Sequence, residues 1–458
     1  MRKKLLTMCI IIVLALSSLY SASLMLEPMF DDPLASEQFL SFYDFNTPID
    51  EAMEHYLENV SLSVVTLGPD DPPYVWFGHS SLVVHDKNID QSIMYDYGIF
   101  SFDEGYYTNF LLGRLEYEIW ATSYDARIAM AISENRDVRE LELQLSRATK
   151  YEIMTLLHDN VQPEYNTYLY HPYIENCATR LRDILDKAVG GQLYRWAHSI
   201  ELDESFRSLA NRHTAHSPIL EWSLNFLQGR AIDHPITLWE AMYLPTFLEE
   251  ALTQFSYIDE HGALTSLVDK EIVHHSEVGH PRFTVLQHSP TLYWRTLLFS
   301  LALSFVLIVL ARFQSKELFY TKEKIMRFGY GIMNTLIYTL LGAVSTILAV
   351  MMITTNHDVT YFNENIIFIS PLLLVAALWA LLAAGGNPLA LYYFRKANTL
   401  FAVITALYIV MKLALSFVMI QDSWEFVFSV LPLYIANSTI PFEKIILRKK
   451  HILDNANW

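Results

Sequence analysis

Cysteine is nearly absent from this chain, which has two in 458 residues, Cys9 and Cys177. Cys9 lies in an amino-terminal apolar run, so Cys177 is alone between Glu27 and Pro290. A disulfide framework is thereby excluded; a lone thiol in an oxidising compartment is either buried and inert or chemically useful. Basic residues are scarce in the same segment, which carries 16 Lys and Arg against 42 Asp and Glu, a net charge of −26. Such a surface repels nucleic acid and gains nothing from anionic headgroups, so a nucleic-acid role is excluded. Zinc-ligand spacing is lacking as well. His274 and His275 are adjacent, His280 follows, and no second cysteine completes a set, so no metal and no cofactor is expected. Internal repeats and low-complexity linkers are also missing.

Apolar residues, by contrast, are abundant, at 52% of the chain. Residues 1–26 open with Arg2, Lys3 and Lys4 ahead of an apolar run, the pattern of a signal peptide or an uncleaved anchor. Five further apolar stretches follow at 292–311, 328–353, 366–384, 400–420 and 426–440, the last short and containing Pro432. Most approach the roughly 20 residues a helix needs to cross a bilayer. The segments 312–327, 385–398 and the tail after 440 hold five, two and four Lys/Arg, while 354–365 and 421–425 hold none. The positive-inside rule then places the first set in the cytoplasm and the second outside. The organisation expected is a leader (1–26), an acidic extracytoplasmic domain (27–290), a five-helix all-α transmembrane bundle (291–442) and a basic cytoplasmic tail (443–458).

Within the acidic domain the reading is α+β, with a core over about 60–195 and a helical extension over 196–290. Strands are expected at 61–67, 75–85 and 93–97 from their β-branched content, with a turn at Gly68-Pro69-Asp70-Asp71-Pro72-Pro73. Residues 136–160 are expected to be helical, with Leu141, Leu145, Ala148, Glu152 and Leu156 on a mostly apolar stripe. A second helix is expected over 177–188, closed by Gly190-Gly191.

The stretch Asn176-Cys177-Ala178-Thr179-Arg180 carries the chemistry. Asn176 is a good amino-terminal cap, which puts Cys177 in the first helical turn. There the helix dipole and free N–H groups favour the thiolate, and the N–H groups around Asn176 and Ala178 suit an oxyanion. A buried core cysteine is the competing reading. His79, preceded by Gly78 on a strand, can serve as general base and acid, with His85 on the same strand face as its rival. Asp96 on the next strand is a candidate orienter of the imidazole, with a mild effect expected from Asp96→Asn. Arg180 is a candidate for binding substrate or for an ion pair at the solvent side. Lys412 interrupts an apolar span, and the polar loop with His357, Asn363 and Asn365 lies on the external side.

Gly78-His79-Ser80, Tyr95-Asp96-Tyr97-Gly98 and Asn176-Cys177-Ala178-Thr179-Arg180-Leu181-Arg182-Asp183 together resemble the Lnb family of bacterial lipoprotein N-acyltransferases. Similarity extends to Phe110–Tyr117, to Gly229-Arg230-Ala231-Ile232-Asp233 and to the His357 loop. The resemblance implies a circularly permuted papain-like core of the NlpC and lecithin–retinol-acyltransferase type, in which histidine precedes cysteine. It further implies a multi-pass protein of the bacterial inner membrane with its thiol domain outside. Cys177 would be the nucleophile, a phospholipid the acyl donor and a diacylglyceryl-cysteine lipoprotein the acceptor. His357, Asn363 and Asn365 would help position the headgroup or amine. A tethered papain-like thiol hydrolase acting on cell wall or protein amides is the alternative, and it needs one anchor rather than five further spans.

Overall fold

The computed structural model describes residues 51–100, 105–278, 285–286, 293–313 and 320–438. The leader with Cys9, His280 and the basic tail lie outside them. Two compact units are present. The first comprises described residues up to His216 together with those of Pro235–Gln287; the second comprises Ser217–His234 and those from His288 onward.

The first unit begins with α1 (Glu51–Leu57), β1 (Val60–Leu67), β2 (His79–Asp86) and β3 (Gln91–Ile99). Next come α2 (Tyr106–Leu112), β4 (Glu116–Ser123), α3 (Tyr124–Ser133), β5 (Val138–Leu143) and α4 (Arg147–Asn160). The strand β6 (Thr167–Leu169) leads into α5 (Cys177–Ala188), α6 (Gln192–His198) and α7 (Phe206–Thr214). The helix α8 (Pro218–Leu227) belongs to the second unit. The chain then returns to the first with α9 (Leu238–Ala241), α10 (Pro245–Gln254), β7 (Ser256–Ile258), β8 (Leu264–Ser266) and β9 (Val268–His275).

Seven strands form one sheet in the order β6-β4-β3-β2-β1-β5-β9, every neighbouring pair antiparallel. Strand alternation sends Leu62, Val64, Leu82, Val84 and Tyr95 to one face, where they pack with Met154, Leu157, Leu181, Leu185, Leu248 and Leu252. Val65, Leu67, Val83, Met94 and Val138 point the other way and pack with Ile128 and Ala131 of α3. Each fully buried aliphatic side chain is worth about 1.5–3 kcal/mol, so both faces contribute to holding the sheet. The amphipathic stripe of α5 explains its place: Leu181 and Leu185 are fully buried, while Cys177 at its start stays partly exposed.

Two expected elements differ. Residues 136–160 are not one helix. Val138–Leu143 is strand β5, paired with β1 through Val65↔Glu140 and Val64↔Leu141, because its alternating side chains have a buried place on each sheet face. The helix starts only after Ser146, whose hydroxyl accepts the Thr149 N–H at 3.2 Å. Strand β2 likewise begins at His79 rather than at Val75. Pro72 and Pro73 set a 3-10 turn, and Gly78 at φ +76° swings the chain into the sheet, where a Cβ would stand 2.9 Å from the Leu67 carbonyl oxygen.

In the second unit α8 is joined by α11 (Tyr293–Phe313), α12 (Tyr320–Thr354), α13 (Leu373–Ala384), α14 (Pro388–Ala414) and α15 (Trp424–Asn437). Among the described residues three helices, Tyr293–Arg312, Lys324–Thr354 and Pro388–Ala414, are long and apolar enough to cross a membrane. The expected span at 366–384 is cut to α13, whose 12 residues at about 1.5 Å each fall short of a bilayer. The 14-residue α15 contains Pro432 and falls short as well. The five-crossing count is therefore not reproduced by helix length.

Lys412 is buried. Its ammonium donates to the carbonyls of Met419 and Gln421 and lies 3.6 Å from the Glu364 carboxylate. Asn363 and Asn365 are buried too, and their amides serve the last turn of α8. Asn363 Nδ2 donates to the carbonyls of Phe226 (2.9 Å) and Leu227 (3.1 Å), and Asn365 Nδ2 to that of Phe226 (3.1 Å). These donors satisfy helix-end carbonyls that have no intrahelical partner. Direct contact of the same amides with a headgroup or an amine is not what this geometry supplies. His357 is half-buried at the start of a short 3-10 turn. Replacing Asn363 and Asn365 together by alanine leaves buried carbonyls unpaired, at about 1–3 kcal/mol each. The double variant is expected to lower the melting temperature and speed proteolysis within 217–234; an unchanged digestion pattern would contradict this.

Candidate active site

The site is assembled where the start of β2, the middle of β3 and the start of α5 converge. Asn176 forms a reciprocal cap with Thr179. Its Oδ1 accepts the Thr179 N–H at 3.0 Å, and its own N–H donates to Thr179 Oγ1 at 2.8 Å. Asn176 Nδ2 also donates to the carbonyls of Pro172 and Tyr243, each at 2.9 Å. The cap, worth about 1 kcal/mol, fixes the direction in which Cys177 leaves the helix.

His79 Nε2 is 2.9 Å from Asp96 Oδ1, and His79 also lies within hydrogen-bonding reach of the Cys177 thiol. Asp96 is fully buried and has further donors on every side. Ser81 Oγ donates to Oδ1 at 2.5 Å, while Thr122 Oγ1 and Arg127 Nε each donate to Oδ2 at 3.1 Å. Register explains the convergence, since Ser81 stands opposite Asp96 across β2 and β3. Burial would raise the Asp96 carboxyl, but the Arg127 guanidinium, His79 and the Ser81 hydroxyl together hold it far below the usual carboxylate range. Burial alone would lower His79. The Cys177 thiolate and the Asp96 hydrogen bond overcome that and raise it to about 9. Burial would raise the Cys177 thiol, but the His79 imidazolium and backbone N–H groups of Ser80 and Ala178 bring it below its ordinary value. Both shifts act in the direction of a thiolate–imidazolium pair, at a nucleophile that stays partly exposed.

Aromatic rings border the pair. Tyr168 and Tyr170 are near enough for the thiolate to help raise both phenols. Tyr117 stacks on Tyr170 at 4.1 Å, and Phe100 packs on Tyr117 at 5.1 Å. Arg180 pairs with Glu175 at 2.8 Å and lies 4.4 Å over the Tyr168 ring. His85, the rival base, is elsewhere. It contacts Ser92 at 2.8 Å and Glu140 at 2.8 Å, and Glu140 also takes His274 at 2.6 Å. His275 meets Asn135 at 3.0 Å. Among the described residues no group of three or more His, Cys, Asp and Glu is arranged to hold a metal ion.

No sequence motif marks Arg127, Ser81, Thr122 or Tyr168. Ser81 lies two residues from His79 on the same strand face, a weak signal that was present; Arg127 has none, because its role depends on α3 folding back over the sheet.

The site and fold define a mixed α+β domain with a thiol–imidazole–carboxylate constellation, in a chain that also has a helical region with three candidate membrane spans. The family model described as the Lnb N-terminal periplasmic domain matches residues 52–212, in agreement with the resemblance read from the motifs. No curated protein and no solved structure matches the chain. With its apolar helices, it is a membrane protein with an extracytoplasmic domain.

The coupled pair gives a pH signature. Cys177 is expected to react with iodoacetamide at neutral pH, and Asp96→Asn, by weakening His79, to slow alkylation on the order of tenfold, one pKa unit's worth. The folded His79 pKa lies above its unfolded value. Its stabilisation is therefore complete below about 6.5 and lost as pH rises through about 9. The depressed Cys177 thiol works in the opposite sense, adding stability as pH rises toward its ordinary value, so the two contributions offset each other in melting temperature. The signature is instead in alkylation, whose rise with pH should lie at higher pH in His79→Ala than in the wild type. Equal pH profiles, or Asp96→Asn alkylation at the wild-type rate, would contradict the assignment.

Proposed function

We propose that the chain is a lipoprotein N-acyltransferase of the bacterial inner membrane, with Cys177 as nucleophile and His79 as general acid and base. The observation that carries the reading is the Cys177–His79–Asp96 arrangement at a capped helix start, a nucleophile, base and orienter in contact. The order, with histidine on a strand ahead of cysteine on a helix, suits a permuted papain-like core. The Cys177 thiolate attacks the acyl carbonyl of a phospholipid, and His79 gives its proton to the departing lysophospholipid alkoxide. An acyl thioester remains. The α-amine of a diacylglyceryl-cysteine lipoprotein then attacks that thioester, His79 accepts the amine's proton, and Cys177 leaves as thiolate. The rings of Tyr168, Tyr170, Tyr117 and Phe100 beside the thiol favour an apolar acyl group over a hydrophilic peptide, and the membrane-crossing helices suit substrates confined to a leaflet. Water in place of the amine would make the same site a hydrolase, the alternative reading.

Cys177→Ser and His79→Ala are each expected to cut lipoprotein N-acylation by roughly a thousandfold or more, with abundance in the membrane unchanged. The measurement is mass spectrometry of lipoprotein amino termini in a strain with no other such enzyme. Normal N-acylation by Cys177→Ala would end the proposal. Reduced abundance with the surviving protein still active would assign Cys177 to the core.

A further inference from the structure

The mechanism above leaves one group beside the thiol without a task. Tyr168 lies on the edge strand β6, opposite Tyr117 of β4. Its hydroxyl is buried and has no hydrogen-bond partner among the described residues. A buried phenol so placed costs about 1–3 kcal/mol. The hydroxyl lies beside Gly98. A Cβ on Gly98 would stand 3.7 Å from Tyr168 Oη and 3.9 Å from Cys177 Cβ, so the hydroxyl and the root of the nucleophile border the same point. Gly98 has φ +95° and no side chain, which keeps that point empty. The ring is not free to turn away. Arg180, itself paired with Glu175, covers one side at 4.4 Å, and the Tyr97 ring lies 6.3 Å away.

We infer that Tyr168 is a catalytic residue of the acyl-transfer site, its hydroxyl donating a hydrogen bond to the oxyanion formed when Cys177 attacks an acyl carbonyl. The inference rests on the acyl-transfer reading above and extends it to the group that stabilises the intermediate. As Sγ bonds to the carbonyl carbon, the C=O π pair moves to oxygen, and the Tyr168 O–H donates to that oxygen. The pair returns when the bond to the alkoxide breaks, and the alkoxide takes its proton from His79. Tyr168 keeps its own proton throughout. Burial and the nearby thiolate both favour that, since each raises the phenol above its ordinary value. In the resting enzyme the backbone N–H groups of Ser80 and Ala178 are directed at the sulfur. A preset donor on the other side of the reacting carbon spares the site from rearranging during attack.

Tyr168→Phe removes only an oxygen that has no partner among the described residues, so the fold should not suffer. The test uses the full-length protein in detergent and two probes of Cys177. The first is p-nitrophenyl octanoate, whose reaction passes through an oxyanion; the second is iodoacetamide, whose alkylation does not. Tyr168→Phe is expected to lower the rate of nitrophenol release by roughly 10²–10³-fold, as for loss of one oxyanion donor, while alkylation changes by less than about twofold. Melting temperature should stay at or above that of the wild type. Nitrophenol release at the wild-type rate would overturn the inference and leave the acyl-transfer reading standing. A drop in both rates with a lower melting temperature would also overturn it, assigning Tyr168 to structure. Wild-type protein that releases no nitrophenol in a Cys177-dependent way would remove the acyl-transfer reading itself.

Discussion

A buried carboxylate that cannot be left without partners organises the site. Asp96 has no exposure, and an ionised carboxylate in that position is tolerated only when hydrogen bonds and an opposite charge replace water. Four side chains from three elements do so: His79 and Ser81 from β2, Thr122 from β4 and Arg127 from α3. Each of these contacts requires the sheet register and the placement of α3 to be correct. The charge that results favours the His79 proton, and that proton in turn lowers the Cys177 thiol below its ordinary value. The mild effect expected for Asp96→Asn on sequence grounds is thus too small an estimate, because the amide would disturb the positioning of Arg127 and His79 together.

What the sequence made legible here was local. Asn176 as cap, Cys177 in the first turn and Gly78 ahead of His79 are neighbour effects, readable within a few residues. The partners of Asp96 were not, since pairing Ser81 with Asp96 and bringing Arg127 over the sheet are decided by tertiary packing. Val138–Leu143 shows the same limit from the other side. Its apolar residues fit a helical stripe, yet both its faces are needed in the sheet, and strand pairing with β1 prevails over local pattern. The strands β4, β6, β7, β8 and β9 likewise lie outside the expected strands; β6 has only three residues, yet it carries Tyr168.

In the membrane region composition was a better guide than length. Three apolar stretches became helices of crossing length, 366–384 is shortened by a polar turn segment, and the last, with Pro432, is as short as its sequence suggests. The polar residues that looked like ligand groups, Asn363 and Asn365, are engaged with the carbonyl end of α8, and Lys412 is held by two carbonyls and lies near Glu364. Buried polar groups in an apolar setting find partners wherever the chain offers them, and here those partners are main-chain carbonyls.

The central claim is that Cys177 becomes acylated. Purified full-length protein incubated with an isotope-labelled phospholipid, with no lipoprotein present, should retain one labelled acyl chain. Peptide mass spectrometry should place it on Cys177, and neutral hydroxylamine should release it as the hydroxamate. Label that is absent, that resists hydroxylamine, or that persists in Cys177→Ser would contradict the account.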